Sequence, residues 1–495
     1  MMGLFLDDLV PLPSPAQLAW QRTETNLFVH LCVNTFTGRE WGDGSESPAI
    51  FNPAKLDCRQ WARVAREAGF RIGILTAKHH DGFCLWPTAT TEHSVKASPW
   101  RGGVGDVVRE FVDAFRAEGL KVGLYLSPWD RHEKCYGDSP RYNDFYCAQL
   151  TELLTHYGVL HEVWFDGACA EGPNGRKQEY DWPRFFGLVK KLQPGAVTFG
   201  DGGTDVRWVG NERGFANGTC WATVDPRTVR FPGDSGINRA NDAAAREELK
   251  RHFGSGDAPD PAGREPRVWR PAECDVSIRP GWFYHAEEDD KVRSAGNLVD
   301  LYFCSVGRNG LLLLNIPPTR EGLFHENDIA AITGLWRELD RIFANDLARA
   351  AGVRVTADRE RASGPCAVAM FLAESVCDGN PDTCWAAPEG VTKAVLEMVF
   401  PGGAAGGADG GAAGAEEEGV TVSVLCFEEP VQHGQRIAAY HVEADAGGAW
   451  TEIARGTTVG RKKLDRLATP VKARRLRLTI DEALAPPALS AWRVF

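Results

Sequence analysis

The chain has 495 residues, 43% of them hydrophobic and 25% charged, with a formal charge of -12 at pH 7 and a pI near 5.6. That length calls for two domains rather than one. The acidic balance argues against nucleic acid or an anionic membrane surface as partner, and no apolar run is long enough to span a bilayer.

The opening residues, Met1 to Asp8, lack a basic start and a continuous apolar stretch, so no signal peptide is read there. From about residue 25 to 345, short apolar runs alternate with helix-periodic segments. The runs at 27–34, 71–76, 120–126, 160–165, 196–199 and 311–316 read as buried strands. Between them, Trp61, Val64, Ala65 and Ala68 share one helical face, as do Val108, Phe111, Val112 and Phe115, and Ile329, Ile332, Leu335, Leu339 and Ile342. This alternation predicts an α/β fold, an irregular (β/α)8-type (TIM-like) barrel over residues 1–345. A doubly wound open sheet is the runner-up, but no GxGxxG opens a helix. Residues 230–270, rich in Pro, Gly and charge, read as a long excursion between strands.

After residue 346 the helical period disappears. Short β-rich segments at 353–356, 394–400, 420–426, 437–442 and 475–480, separated by turns, predict a C-terminal β-sandwich over 346–495. Inside it, the Gly/Ala-rich stretch 401–419 reads as a disordered loop without chemistry. The thirteen cysteines are scattered without a CxxC pair, and they suggest neither a disulfide framework nor a zinc site. One glycosylation sequon, Asn217-Gly218-Thr219, is no more than chance provides.

Candidate chemistry gathers where the apolar runs end, which is where barrel enzymes build their sites. Sixteen tryptophans, many in polar contexts, suit the apolar faces of a pyranose. The segment Glu162-Val-Trp164-Phe-Asp166-Gly places a carboxylate at a strand tip beside an indole, a position for a nucleophile or general base. Ala77-Lys-His79-His80-Asp-Gly-Phe83 places two imidazoles at another tip. Neighbours in an extended chain point to opposite faces, so hydrogen bonds to sugar hydroxyls are at least as natural for them as metal binding. His30, Glu40 and Trp41 extend the same cluster. A glycosidase needs a second carboxyl across the scissile bond. Glu40, Asp130, Glu212 and Glu273 all qualify, the last in a polar-aromatic loop, and composition does not choose between them.

The order His30, Glu40-Trp41, His79-His80, Tyr125-Leu-Ser-Pro-Trp129 and Trp164-Phe-Asp166-Gly resembles the α-L-fucosidases of glycoside hydrolase family 29 over roughly residues 15–345. The run Trp208-Val-Gly-Asn-Glu212-Arg-Gly resembles the subgroup acting on α1,3- and α1,4-linked fucose. The opening segment from Pro11 to Trp20 resembles that subgroup's plant members. The resemblance implies a retaining exo-α-L-fucosidase with Asp166 as nucleophile, Glu212 as acid/base and no cofactor or metal. His30, His79, His80, Tyr125 and Trp164 would form the fucose pocket, with Glu40 and Trp41 lining it and Glu273, Arg279 and Trp282 contacting substrate. Fucosylated oligosaccharides or glycoproteins would be the partners, met outside the cell, in the apoplast, or in the secretory pathway.

Where the family usually has an aromatic residue and Gly after His30, this chain has Leu31-Cys32, which predicts an added side chain at the pocket floor. The C-terminal region resembles galactose-binding-like (discoidin-type) sandwiches through Asp378-Gly-Asn-Pro-Asp382-Thr-Cys-Trp385 and Trp450-Thr-Glu-Ile-Ala454, and is expected to brace the barrel. The rival readings are a catalytically inactive glycan-binding protein and a metal-dependent barrel hydrolase centred on His30, His79, His80 and Asp166.

Overall fold

The computed structural model describes residues 10–200, 204–224, 267–361, 371–401 and 419–495. Eight parallel strands close a barrel: β1 (Thr25–Val29), β2 (Ile72–Lys78), β3 (Lys121–Leu126), β4 (Glu162–Trp164), β5 (Val197–Gly200), β6 (Val206–Trp208), β7 (Ala272–Ser277) and β8 (Leu311–Asn315). They lie in the order β1-β8-β7-β6-β5-β4-β3-β2, so each neighbours its successor and β8 closes on β1.

Helix α1 (Pro15–Gln21) comes first. It is started by a Ser14–Gln17 capping box, with Pro15 in the first turn, where a missing N–H costs nothing. Around the barrel run α2 (Cys58–Glu67), α3 (Val107–Ala117), α4 (Ser139–His156), α5 (Trp182–Leu192), α6 (Ala295–Cys304) and α7 (Glu326–Ile342). The three apolar stripes read in the sequence fall on α2, α3 and α7 and turn their central residues to the core. β5 ends at Gly200 and β6 begins at Val206, too close in sequence for a covering helix, so the barrel is irregular there.

The strands β6 and β7 carry no apolar run. In β7, Ala272, Cys274 and Val276 pack outward against the surrounding shell, while Glu273 and Asp275 face the barrel interior. Glu273 therefore lies in a strand, not in a loop. The excursion predicted over 230–270 and the loop predicted over 401–419 fall mostly outside the described residues.

The interior is layered. α1 sends Trp20 into the end opposite the site, where its Nε1–H donates to Glu162 Oε2 at 2.8 Å. Glu162 and Glu273 face each other across this layer, with Glu162 Oε1 and Glu273 Oε2 left without another partner. Burial pushes Glu162 up to about 7. Burial, and then the charge of Glu162, push Glu273 well up, so the pair shares a proton. Above lie Phe28, Tyr125, Trp164, Phe199 and Leu313. Trp164 stacks on Phe199 at 4.0 Å and on Tyr125 at 5.3 Å.

The C-terminal region is antiparallel. Strands β9 (Arg354–Ala357), β10 (Ala394–Val399), β12 (Ile437–Asp445), β13 (Trp450–Gly456) and β15 (Arg475–Ala483) form one sheet, ordered β9-β10-β15-β12-β13. A second is β14-β11-β16, from β11 (Val420–Glu428), β14 (Lys463–Ala473) and β16 (Ala491–Val494). Their inner faces enclose Trp385, Leu396, Phe427, Leu478 and Trp492, as expected of a sandwich. Asp378 closes the turn before Trp385, its oxygens accepting from Asn380 N–H and Thr383 Oγ.

A charged knot joins the two parts. Glu24, just before β1, meets Lys462 at 2.6 Å and Arg461 at 3.2 Å and accepts from Tyr302 Oη at 2.9 Å. Glu428 meets Arg461 at 2.8 Å from the other side. Burial raises the Glu24 carboxyl, but Lys462 and Arg461 outweigh it and bring it down to about 2. A depressed carboxyl adds stability above its unfolded value, and that stability is lost as pH falls toward the folded one. Acid unfolding should therefore include a Glu24 contribution that fades between roughly pH 4.5 and pH 2. Glu24→Ala leaves buried Lys462 to the more distant Glu428, 3.7 Å away, and is expected to cost about 3 kcal/mol. Chemical denaturation of the variant at pH 7 measures it, and a loss below about 1 kcal/mol would remove the knot from the account.

Candidate active site

Asp166 lies two residues past the end of β4. Its Oδ2 accepts from the buried Tyr125 hydroxyl at 2.9 Å, and Oδ1 accepts from Ala168 N–H at 2.7 Å. Both oxygens are thereby fixed, while the side chain keeps 23% exposure toward the mouth. Burial raises its pKa, and the two donors oppose that rise.

Three imidazoles stand around it. His30 Nδ1 lies 2.8 Å from Asn315 Oδ1, and Asn315 Nδ2 donates to Ser277 Oγ and the Trp282 carbonyl. The carbonyl accepts only, so the amide orientation is set, His30 carries its proton on Nδ1, and Nε2 is left as an acceptor. His80 repeats the device. Ser127 Oγ donates to the Trp129 carbonyl and so accepts from His80 Nδ1 at 2.7 Å. That leaves Nε2, 3.8 Å from Asp166 Oδ2, unprotonated. Burial holds His30 and His80 down to about 3, and burial followed by His80 and His30 depresses His79. The site thus offers neutral rings suited to hydroxyl groups.

His79 and His80 do not point apart as an extended chain would require. They lie past the end of β2, their ring centroids 4.0 Å apart. Gly82, at φ +79° with Asp130 and His132 where a Cβ would stand, turns the chain away beyond them. Among the described residues, no group of three or more His, Cys, Asp or Glu is arranged to hold a metal ion.

Glu212 lies on the exposed rim beyond β6, its Oε2 3.4 Å from Trp282 Nε1. Partial withdrawal from water, and then the charge of Asp166, raise its pKa, so Glu212 senses Asp166 across one mouth. Trp282 packs at 5.4 Å from His30, between that ring and Glu212. Trp41 is 53% exposed and stands edge-on to His80 and Trp129, both at 5.5 Å. Beside it opens a cavity of about 310 Å³ lined by Trp41, Trp129, Glu171 and Lys177.

The remaining candidates frame or support the pocket. Glu40 spends its carboxylate on the Trp282 amide at 2.7 Å and on His285 Nε2 at 2.7 Å, clamping the β7 loop to the β1 loop. Trp164 forms the floor, donating from Nε1 to Glu273 Oε1 at 2.8 Å, which places Glu273 beneath the pocket. Arg279 is fully buried: Nε donates to both oxygens of Asp328 on α7, and Nη1 to Asp289 at 2.9 Å. It anchors the end of β7 to that helix. Asp130 pairs with buried Lys78 at 2.9 Å. Cys32 adds nothing to the pocket floor: its buried Sγ accepts from Asn34 N–H at 3.3 Å and lies 3.4 Å from Asp81 Oδ2, behind the imidazoles. Sequence reasoning missed Asn315, hidden in an apolar run, and Ser127, inside a quoted motif without a role.

Comparison with known proteins agrees with this geometry. The α-L-fucosidase family model matches residues 20–338. The chain is 43% identical to α-L-fucosidase 1 of Arabidopsis thaliana over 97% of its own length and 87% of that protein. The solved structure of SpGH29 superposes with a TM-score of 0.84 at 36% identity, covering 99% of both chains. The Ruminococcus gnavus GH29 fucosidase, solved in complex with fucose, superposes with a TM-score of 0.82 at 29% identity over 99% of this chain and 95% of that one. The chain belongs to the α-L-fucosidases, glycoside hydrolase family 29.

Proposed function

We propose that this α-L-fucosidase removes terminal α1,3- and α1,4-linked L-fucose from branched glycans with net retention, Asp166 acting as nucleophile and Glu212 as acid/base. The observation that carries the proposal is the placement of two carboxyls at one mouth, Asp166 beyond β4 and Glu212 beyond β6, close enough for the charge of Asp166 to raise Glu212, beside neutral imidazoles. In the first step an Asp166 oxygen attacks C1 while the glycosidic C1–O bond breaks. The Glu212 proton passes to the leaving oxygen. In the second step water gives a proton to the Glu212 carboxylate and its oxygen bonds to C1, releasing Asp166 and α-L-fucose.

His30 and His80 accept hydroxyl protons through Nε2, and Trp282 offers an apolar face. The linkage preference rests on the resemblance of Trp208-Val-Gly-Asn-Glu212-Arg-Gly, and the cavity beside Trp41 leaves room for a further sugar. Fucosylated oligosaccharides or glycoproteins of the secretory pathway or apoplast are the substrates on the same resemblance.

The test is proton NMR of the first-formed fucose from a Lewis-type trisaccharide and from an aryl α-L-fucoside. The expected result is α-L-fucose from both, with higher kcat/KM on the trisaccharide. First-formed β-L-fucose would overturn retention, and no release from either would favour a glycan-binding protein.

A further inference from the structure

One buried carboxyl on the pocket wall has no part in the steps above. Asp275 faces inward on β7, above Glu273 and below Ser277, whose Oγ steadies the amide that holds His30. Only 3% of it is exposed. Its Oδ1 accepts from Trp208 Nε1 at 2.8 Å, and Trp208 ends the strand from which the Glu212 loop departs. Among the described residues, no hydrogen bond from another residue reaches its Oδ2. The charged groups facing it are carboxyls: Glu212 beyond β6, Asp166 beyond β4 and Glu273 on its own strand.

We propose that Asp275 is a further substrate-binding residue, a neutral carboxylic acid that holds the Trp208 indole through Oδ1 and donates its Oδ2–H to a hydroxyl of the bound fucose. The proposal rests on the reading that the sugar lies between Asp166 and Glu212. Neutrality follows from the surroundings. Burial, and then the charges of Glu212 and Asp166, push the Asp275 carboxyl well above the usual carboxylate range. A third negative charge in this enclosed space would repel both neighbours, and the Trp208 indole N–H and Asp275's own backbone N–H are too little to hold it. A buried carboxyl kept protonated is a hydrogen-bond donor at pH 7. With Oδ1 already engaged, the proton belongs on Oδ2, the oxygen that no other residue reaches. The donor complements His30 and His80, whose Nε2 atoms accept.

The test compares Asp275→Ala and Asp275→Asn with wild type in fucose binding by calorimetry, in KM and kcat on an aryl α-L-fucoside, and in circular dichroism. Loss of one donor is expected to weaken fucose binding and raise KM by about 10-fold in Asp275→Ala. The amide keeps an acceptor for Trp208 and a donor for the sugar, so Asp275→Asn recovers most of that loss. If Asp275→Ala does not fold, Asp275→Leu, close in shape and without polar atoms, takes its place with the same expected loss. Asn as impaired as Ala would overturn the neutral-donor role in favour of a required charge. A folded Ala or Leu variant that binds fucose as wild type does would overturn any contact. Wild-type protein that neither binds nor releases fucose would overturn the functional reading and this one with it.

Discussion

Asp166→Ala is expected to lower release of fucose by about 10⁴-fold or more on both the Lewis-type trisaccharide and the aryl fucoside, with the fold unchanged. Tyr125 Oη and Ala168 N–H hold the two oxygens at 2.9 and 2.7 Å, so no neighbouring group is placed to replace the carboxylate. His80 Nε2, 3.8 Å away, belongs to a ring already held through Nδ1 and is not free to advance on C1. The variant also makes room, and a small anion such as azide fills it. Azide should attack C1 on the vacated face as the glycosidic bond breaks and Glu212 protonates the leaving oxygen. The product is then β-L-fucosyl azide, inverted relative to substrate. Its appearance would identify Asp166 as the nucleophile rather than a base. Full activity in Asp166→Ala, or rescue that yields only free α-L-fucose, would count against it.

The parts of this site that the sequence shows are those where chemistry interrupts a strong pattern. Asp166 ends an apolar run, His79 and His80 end another, and both lie at the mouth because side chains past strand tips in a barrel converge there. What hid from the sequence obeys a different rule. β7 reads Ala-Glu-Cys-Asp-Val-Ser, polar at every second position, which on an ordinary sheet marks a face turned to water. Inside a barrel the same alternation turns Glu273 and Asp275 inward, where one shares a proton with Glu162 and the other holds Trp208.

Roles also escape when partners lie far apart in the chain. Arg279 sits among polar-aromatic residues and reads as a sugar contact, yet Asp328, on a helix much later in the chain, claims its guanidinium. Glu40 reads as a pocket lining, but the Trp282 amide that it accepts from is more than two hundred positions away. Cys32 reads as an intrusion into the pocket, and only the placement of Asp81 and Asn34 shows its thiol behind the imidazoles. Residue type and periodicity identify what a side chain is able to do. The fold decides which neighbour it does it to.

Glu212→Gln is the second large effect, and it differs from the first in depending on the leaving group. With the trisaccharide, whose leaving sugar alkoxide is a strong base, kcat/KM should fall by about 10³-fold, because the amide has no proton to give. An aryl fucoside with a nitrophenolate leaving group needs little protonation, so its first step should be far less affected. Its second step still lacks a base for water. The fucosyl-enzyme then accumulates and nitrophenolate appears as a burst equal to the enzyme present.

The pH profile supplies an independent readout. In the proposed mechanism Glu212 begins protonated, so wild-type activity is expected to be lost as pH rises through its pKa, which partial burial and the charge of Asp166 lift above the ordinary glutamate value. Asp166 must be ionised, so activity is also lost as pH falls through its own raised pKa. These are properties of the pair. In Glu212→Gln the alkaline limb should vanish while the acid limb remains. On the proposed mechanism, the same electrostatics lets Glu212 change role within one turnover. Once Asp166 becomes an ester its charge is gone, the repulsion that kept the proton on Glu212 goes with it, and the carboxyl becomes the stronger acid, ready to lie ionised beside the incoming water. A Glu212→Gln enzyme that keeps its alkaline limb, or that shows no burst on the aryl substrate, would place the acid/base on another carboxyl.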